Sequence, residues 1–534
     1  MKLNIAKIVI AGVAALVFAS AFAEACTVTL VTKGASDNGS VLVSHSNDGF
    51  GSDPNVVFVP AKNHPQGSKR PIYPSSAAIG DMPDYNCFSV PQLVAPERSP
   101  GYDYPGKQHT KPLGYIPEVQ HTYAYLDAEY PIMNEHGLML GECTDLSDRL
   151  KEAPFQEGKG IFYSSELGRV ALERCQTARE AIQLMGKLID EYGLWGTAES
   201  LIVADKNEGW IMEMQPTPNG RGGFWIAEKI PDGDIFVAAN QLRIRAVRKN
   251  DPCQIYNPLL PQMLQEAGWA TYDEQGNLDW VKSLQGKEYN HPYYSLRRVW
   301  RAMSTVAPSK NFSAQVDNWD TKEYPLSVTP DKKLAVSDVM TLYRDFYKGT
   351  ELDKSGSPLS GLFASPYHYE KEKGERSILT AKSSFSYIAQ VNDKLPMPIM
   401  WLSINTAAEN PYVPFAVAEM PKSYNHSLRD VYDPSKMYWA SSQVMALTQG
   451  YFSVMYPIVG EAVQNSETMS MKLVNESLGF SREAFADALR QNAIDTVKDW
   501  QSLYVRLLMK YDGGAGVIYD KTHFPDPRTL EEYR

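Results

Sequence analysis

The sequence predicts an α+β fold, with antiparallel hairpins early in the chain and helices late. Three observations carry that expectation. Segments of alternating polar and apolar residues recur in pairs across short turns rich in Gly, Asn and Asp. A long stretch with helical spacing stands between two of those pairs, and the end of the chain reads as mainly helical. No flexible linker divides these parts, so residues 26–430 are expected to form one large domain, with 431–534 a helical extension packed on it.

In chain order the first element is a leader. Lys2 and Lys7 flank the start of an uncharged apolar run over residues 8–18, and Ala23-Glu24-Ala25 has the small-x-small form of a cleavage site. The run is shorter than the ~20 apolar residues a spanning helix needs, and no later stretch approaches that length. Residues 1–25 are therefore expected to be a signal peptide, and the product to be exported, periplasmic or extracellular. No membrane segment is expected after cleavage.

"CTVTLVTKG" and "VLVSHSND" then flank the turn "ASDNGS" as a first hairpin. Residues 48–120 are rich in Pro, Gly and Tyr with little periodicity, and read as a long ordered loop over a site. "SSELGRVALERCQTAREAIQLMGKLIDEY" has helical spacing, with Ser164 or Ser165 as its cap. "ESLIVADKNEGWIMEMQ" is a hairpin turning at 206–209. "GFWIAEKIPDGDIFVAANQ" reads as another, turning at Pro231-Asp232-Gly233-Asp234. Past residue 330 come a helix ("VSDVMTLYRDFYKG"), two strands ("SSFSYIAQVND", "PIMWLSIN") and the helical "SREAFADALRQNAIDTVKDWQSLYVRLLMKY".

Composition narrows the function. Hydrophobic residues at 43% and charged residues at 22% are ordinary for a globular chain. The formal charge of -11 becomes one unit more negative once Lys2, Lys7 and Glu24 are removed, which argues against a nucleic-acid partner. The nine histidines are scattered, no His-Glu-x-x-His run occurs, and no cysteine pair has metal-ligand spacing. No phosphate-cradling glycine loop is present either. Neither a metal nor a nucleotide cofactor is expected.

Five cysteines survive cleavage: Cys26, Cys87, Cys143, Cys175 and Cys253. Four can pair in an oxidising compartment, which leaves an odd thiol. Cys26 is the candidate, because cleavage after Ala25 would give it a free α-amine beside its sulfur. That amine titrates at about 7.7–8.0. It can take the thiol proton and later return it to a leaving amine. Two other readings stand beside this one: a structural cysteine near the cleavage site, and a lipid-anchored cysteine in a binding protein. Ala23 and Glu24 fit the lipid signal poorly, which normally has an aliphatic residue three before the cysteine.

The segment "ACTVTLVTKGASDNGSVLVSHSNDGF" resembles the mature start of the C69 dipeptidases, members of the N-terminal nucleophile (Ntn) hydrolases. "MNEHGLMLGE", "ESLIVADKNEGWIMEM", "FVAANQLRIR" and "SLRRVWRAMS" follow in the family's order. The resemblance implies a four-layer αββα sandwich with Cys26 as nucleophile. It implies that Asp48 lies near the cysteine amine, that Asn240 stabilises the oxyanion, and that Arg297 or Arg298 balances Asp48 and lowers the thiol pKa. It places Asn134 and residues 142–144 along the cleft, with Glu142 able to meet a substrate ammonium group, and leaves Glu213 ambiguous. Many relatives carry arginine where this chain has His45, which suggests a pH-sensitive substitute there. The expected activity is hydrolysis of short peptides through a thioester, with a homo-oligomer left open. The alternative is an Ntn amidase acting on conjugated bile acids or penicillin-type amides.

Overall fold

The computed structural model describes residues 26–49, 52–75, 93–145, 147–150, 153–286, 292–315, 324–367 and 375–511. The expected signal peptide and Cys87 lie outside the described residues. The strands of the two large sheets begin with β1 (Thr27–Val31), β2 (Val41–Asn47), β3 (Val57–Val59), β4 (Tyr125–Asp127), β5 (Met133–Asn134) and β6 (Met139–Asp145). They continue with β7 (Ala198–Ala204), β8 (Gly209–Pro216), β9 (Gly223–Ile230), β10 (Ile235–Ala238) and β11 (Gln254–Tyr256). The last are β12 (Ser327–Val328), β13 (Phe385–Val391), β14 (Ile399–Ile404) and β15 (Val413–Ala416).

One sheet has the order β12-β10-β1-β2-β13-β14-β15 and the other β11-β9-β8-β7-β6-β5-β4-β3. The pairings within both are antiparallel. β1 and β2 lie against β6 and β7, which packs the sheets face to face. Helices α1 (Ser164–Arg174) and α2 (Ala178–Tyr192) cover the second sheet. The first is covered by α3 (Arg297–Val306), α4 (Val336–Leu342), α5 (Met437–Gly450), α6 (Phe452–Glu476) and α7 (Arg482–Lys510). The result is the αββα sandwich, with long helices closing the carboxyl-terminal side.

The period of two explains the layers. On β7, Ile202 and Ala204 pack with Val28, Leu30 and Val43 between the sheets. The alternate residues Leu201 and Val203 pack with Val170, Ile182 and Met185 of the helices. Both faces are apolar because both are covered, so "SLIVA" reads as a nearly continuous hydrophobic run.

Three expectations need correction. β9 and β10 do not form a hairpin. β9 already pairs along its full length with β8 and on its other edge with β11, whereas β10 pairs with β1. The turn at 231–234 passes the chain from one sheet to the other, and it docks on the end of β1. There Asp232 accepts the Gly34 amide at 2.6 Å, and a Cβ at Gly34 would stand 2.9 Å from the Gly233 nitrogen. The long helical stretch is two helices. Thr177 and Glu180 form a capping box that starts α2 anew, and α1 starts after Tyr163 with no side-chain cap from Ser164 or Ser165. Part of the 48–120 region is strand, since β3 pairs with β4 at the edge of the second sheet.

Candidate active site

Cys26 stands one residue before β1, the strand flanked by β2 and β10. Its side chain is fully buried, and its thiol lies 3.6 Å from Glu142 Oε2. Glu142 and Cys143 approach from the facing sheet, where β6 crosses β1 and β2. Gly141 permits that approach: a Cβ there would meet Val43 Cγ1 at 3.0 Å. The Cys143 thiol donates to the Cys26 carbonyl at 3.6 Å, and its sulfur accepts the Asn240 backbone N–H at 2.8 Å.

Arg298 ties this corner together. One guanidinium nitrogen donates to the Cys26 carbonyl at 2.7 Å and to Thr27 Oγ1 at 2.9 Å. The other donates to Asn240 Oδ1 at 2.7 Å and to the Ala239 carbonyl at 3.1 Å. Nε is spent on the Tyr294 carbonyl at 2.7 Å. Only a planar fork with five donors serves so many acceptors at once. Burial, then the neighbouring Arg376, lowers its pKa to about 10, so it stays cationic at neutral pH.

Arg297, about 100° further round the helix, turns away. It pairs with Glu375 at 3.4 Å and lies over the Tyr293 ring. Arg301 pairs with Asp345 at 2.6 Å. Of the two arginines expected at the site, Arg298 reaches Cys26 and Arg297 does not.

Asp48 is fully buried and accepts from Ser46 Oγ at 2.7 Å and from the Ser383 hydroxyl. Ser46 Oγ in turn accepts the Thr27 N–H at 3.1 Å, which links Asp48 to the residue after Cys26. The cation beside Asp48 is Arg376, at 2.5 Å, in place of the expected Arg297 or Arg298.

Asn240 follows the end of β10 with φ 60°, in the left-handed region that asparagine tolerates better than most residues. Its Nδ2 donates to the Thr144 carbonyl at 2.6 Å. The loop beyond it is braced by Glu213. That carboxylate accepts the backbone N–H groups of Arg243 and Ile244 and the Trp280 indole at 2.7 Å. Burial raises the Glu213 pKa to about 7, against the pull of those donors.

His45 is sealed from solvent, stacked on Tyr387, with Nδ1 2.6 Å from the Glu142 carbonyl oxygen. Burial lowers its pKa to about 4, despite that contact and the charge of Asp48. It is therefore neutral near pH 7, which corrects the expectation of a pH-sensitive group. Asn134 is also corrected. Its amide closes the end of α1 by donating to the Leu172 and Cys175 carbonyls at 2.9 and 2.8 Å, while its oxygen accepts the His136 and Leu138 amides. It holds a helix end and does not face Cys26.

Cys26, His45 and Glu142 bring a sulfur, a ring nitrogen and a carboxylate oxygen within 4.8 Å of one another. Among the described residues these are the ones that could hold a metal, in a zinc-type donor set that would engage the Cys26 sulfur. Cys143, Cys175 and Cys253 are free thiols.

A family model described as peptidase family C69 matches residues 119–465. The chain belongs to peptidase family C69. It is 26% identical over 400 residues to a probable dipeptidase of Latilactobacillus sakei, covering 73% of this chain and 74% of that one. It is 24% identical over 325 residues to a probable dipeptidase B of Lactococcus lactis subsp. lactis, covering 58% of this chain and 63% of the relative. A mutant conjugated bile acid hydrolase from Clostridium perfringens matches at 12% identity with a TM-score of 0.21, over 57% of this chain and 84% of that one.

C69 membership makes the chain a hydrolase of the peptidase and amidase class. The site of this C69 chain gathers residues from both sheets, a helix of the cover and a distant loop. Arg376 belongs to it, and the sequence alone does not assign it. Arg376 sits in "KGERS", which has no motif, and its partner lies 328 positions away. Cys143 belongs to the site as well, within the segment 142–144 that the family resemblance sets along the cleft.

Proposed function

We propose that this chain is an exported cysteine dipeptidase whose nucleophile is Cys26, freed at its amino group by cleavage after Ala25. The observation that carries the reading is Arg298, whose one guanidinium grips both the Cys26 carbonyl and the Asn240 side chain. It sets a thiol and an amide at the ends of neighbouring strands, the arrangement acyl transfer requires.

In this reading the Cys26 sulfur attacks the carbonyl carbon of a short peptide while the α-amine takes the thiol proton. The C–S bond forms, and the carbonyl oxygen becomes an oxyanion held by the Asn240 amide and a backbone N–H. The C–N bond then breaks as the α-ammonium protonates the departing amine. Water attacks the thioester with the same amine as base, releasing the acid and restoring the thiol. Asp48, fixed by Arg376 and Ser383, orients this end of the strand through Ser46.

The test joins two measurements. Mass spectrometry of the secreted protein should find Cys26 first, with neither acyl nor diacylglyceryl adduct. Cys26→Ala should then abolish turnover of a dipeptide panel while leaving the melting temperature near that of the wild type. A lipid adduct on Cys26, or hydrolysis confined to conjugated bile acids and phenoxymethylpenicillin, would overturn the reading.

A further inference from the structure

A second buried carboxylate stands beside Glu142 and has no part in the steps above. Glu199 on β7 is paired with Thr144 of β6. Cross-strand partners, and residues two apart, share a face of a sheet, so Glu199 and Glu142 project to the same side. Glu199 Oε1 accepts from Thr197 Oγ1 at 2.6 Å, and that hydroxyl lies 3.1 Å from the Tyr163 hydroxyl. Glu199 Oε2 is buried, with no close protein donor at hydrogen-bond geometry. Around this carboxylate stand the Glu142 carboxylate and the hydroxyls of Tyr163 and Ser164. On Glu142, Oε1 accepts from Thr144 Oγ1 at 2.8 Å, and Oε2 is the oxygen 3.6 Å from the Cys26 sulfur.

Glu142 and Glu199 are each 2% exposed. Two carboxylates so enclosed repel unless a proton or a cation stands between them. The neighbouring wall is aromatic: Tyr130, Tyr163 and Trp195 pack together, and the Tyr130 hydroxyl is 3.5 Å from Thr144 Oγ1. Ring faces beside paired carboxylates suit a cation carried on an organic group.

We propose that Glu199, together with Glu142, holds the free α-ammonium group of the peptide substrate, which makes Glu199 a specificity-determining residue. The proposal rests on the reading of Cys26 as the nucleophile. Chain geometry supports it. In an α-aminoacyl group the nitrogen is about 2.5 Å from the carbonyl carbon. A sulfur poised to attack that carbon sits about 3–3.5 Å from it. The ammonium must therefore lie within a few ångströms of the thiol, and the Glu142 carboxylate is at that range. The carboxylate oxygens of the pair suit one ammonium, and an acylated amine would bring no cation to them. The fold thereby limits cleavage to the first peptide bond of a chain with an unblocked end.

The experiment compares wild type and Glu199→Gln on alanyl-alanine, N-acetyl-alanyl-alanine and propionyl-alanine, which lacks the amino group. Wild type should cleave only the first. E199Q should raise KM for alanyl-alanine by roughly 10- to 100-fold, the loss of one charge-assisted contact. Its kcat should change less, and its preference for free over des-amino substrate should shrink. Iodoacetamide labelling of Cys26 reports whether the variant site is folded. Should E199Q not fold, Thr197→Val, which frees Oε1 from its hydroxyl, should shift KM in the same direction. An unchanged KM and unchanged preference would overturn the proposal. So would a shift confined to the pH profile at constant KM, because the carboxylates would then serve the enzyme's own α-amine. Failure of wild type on all three substrates would instead defeat the dipeptidase reading.

Discussion

Arg298 shows how much of the site depends on the shape of one side chain. A lysine keeps the charge but cannot bridge the Cys26 carbonyl and the Asn240 oxygen together. Arg298→Lys should lower kcat/KM by roughly 100-fold, the scale of an ångström of misplacement, measured on any dipeptide that wild type cleaves. Arg297→Gln loses the Glu375 pair and should change melting temperature more than kcat. His45 gives a prediction in pH. Its pKa is about 4 when folded and 6.5 for the free side chain, so the unfolded chain binds the extra proton between those values. Stability should therefore fall as pH drops from 6.5 toward 4, by about 3 kcal/mol in all. Thermal unfolding of His45→Gln across that range should lack this component. Cys26 stood out in the sequence by its place after the expected cleavage site, whereas Asp48 and Asn240 were singled out only by the family resemblance. Arg376 and Glu199 were not, because burial and long-range pairing leave no local trace.

At the level of elements, the clearest feature is a buried ion cluster on α1. Glu166 accepts from Arg70 at 2.6 Å, Arg98 at 2.8 Å and Arg169 at 3.1 Å, and Arg169 also pairs with Asp127 at 2.8 Å. Burial opposes the Glu166 charge, yet Arg98, Arg70 and Arg169 prevail and hold its pKa at about 2. Its contribution is complete above the ordinary carboxylate range and lost as pH falls toward 2. Glu166→Gln leaves Arg98 without a carboxylate, while Arg70 keeps Glu173 and Arg169 keeps Asp127, and denaturant titration should show a loss of about 3–5 kcal/mol. The cluster pins the segments carrying Arg70 and Arg98, which lack hydrophobic periodicity and so read as loop. Hairpins joined by short turns were legible from alternation and turn residues. The 231–234 turn reads as a hairpin because its residues suit one equally well, and partner choice is settled by which strand edges are already taken. The split between α1 and α2 was written in Thr177 and Glu180, a capping box inside an otherwise continuous pattern.

For the whole molecule, the helical cover is part of the sandwich core. Trp500 of α7 is buried, and its indole donates to the Glu409 carbonyl at 3.1 Å. Glu467 of α6 receives Arg344 and the Tyr412 amide at 2.8 Å. Trp500→Ala should cost about 3–5 kcal/mol of stability, read by chemical denaturation. Because α5, α6 and α7 meet β14 and β15, on the side of the sheet away from Cys26, the kcat of folded protein should be unchanged. Among the described residues no helix is long and apolar enough to cross a membrane. The face-to-face sheets were not legible from periodicity, which fixes strands but not which strands stack. Only the family resemblance supplied that layer order.

The handover at 231–234 has a bearing on how the chain reaches its native state. β8 and β9 can zip locally in the second sheet, but β10 and Asn240 find their places only when β1 is ready to receive them. Cys26 must also meet an arginine 272 positions downstream, and Asp48 one 328 positions away. Loop closures of that span come late and slowly. On the proposed reading of Cys26 as nucleophile, a half-folded or truncated chain holds a thiol with no machinery around it, and a nascent copy is harmless until its last strands have docked.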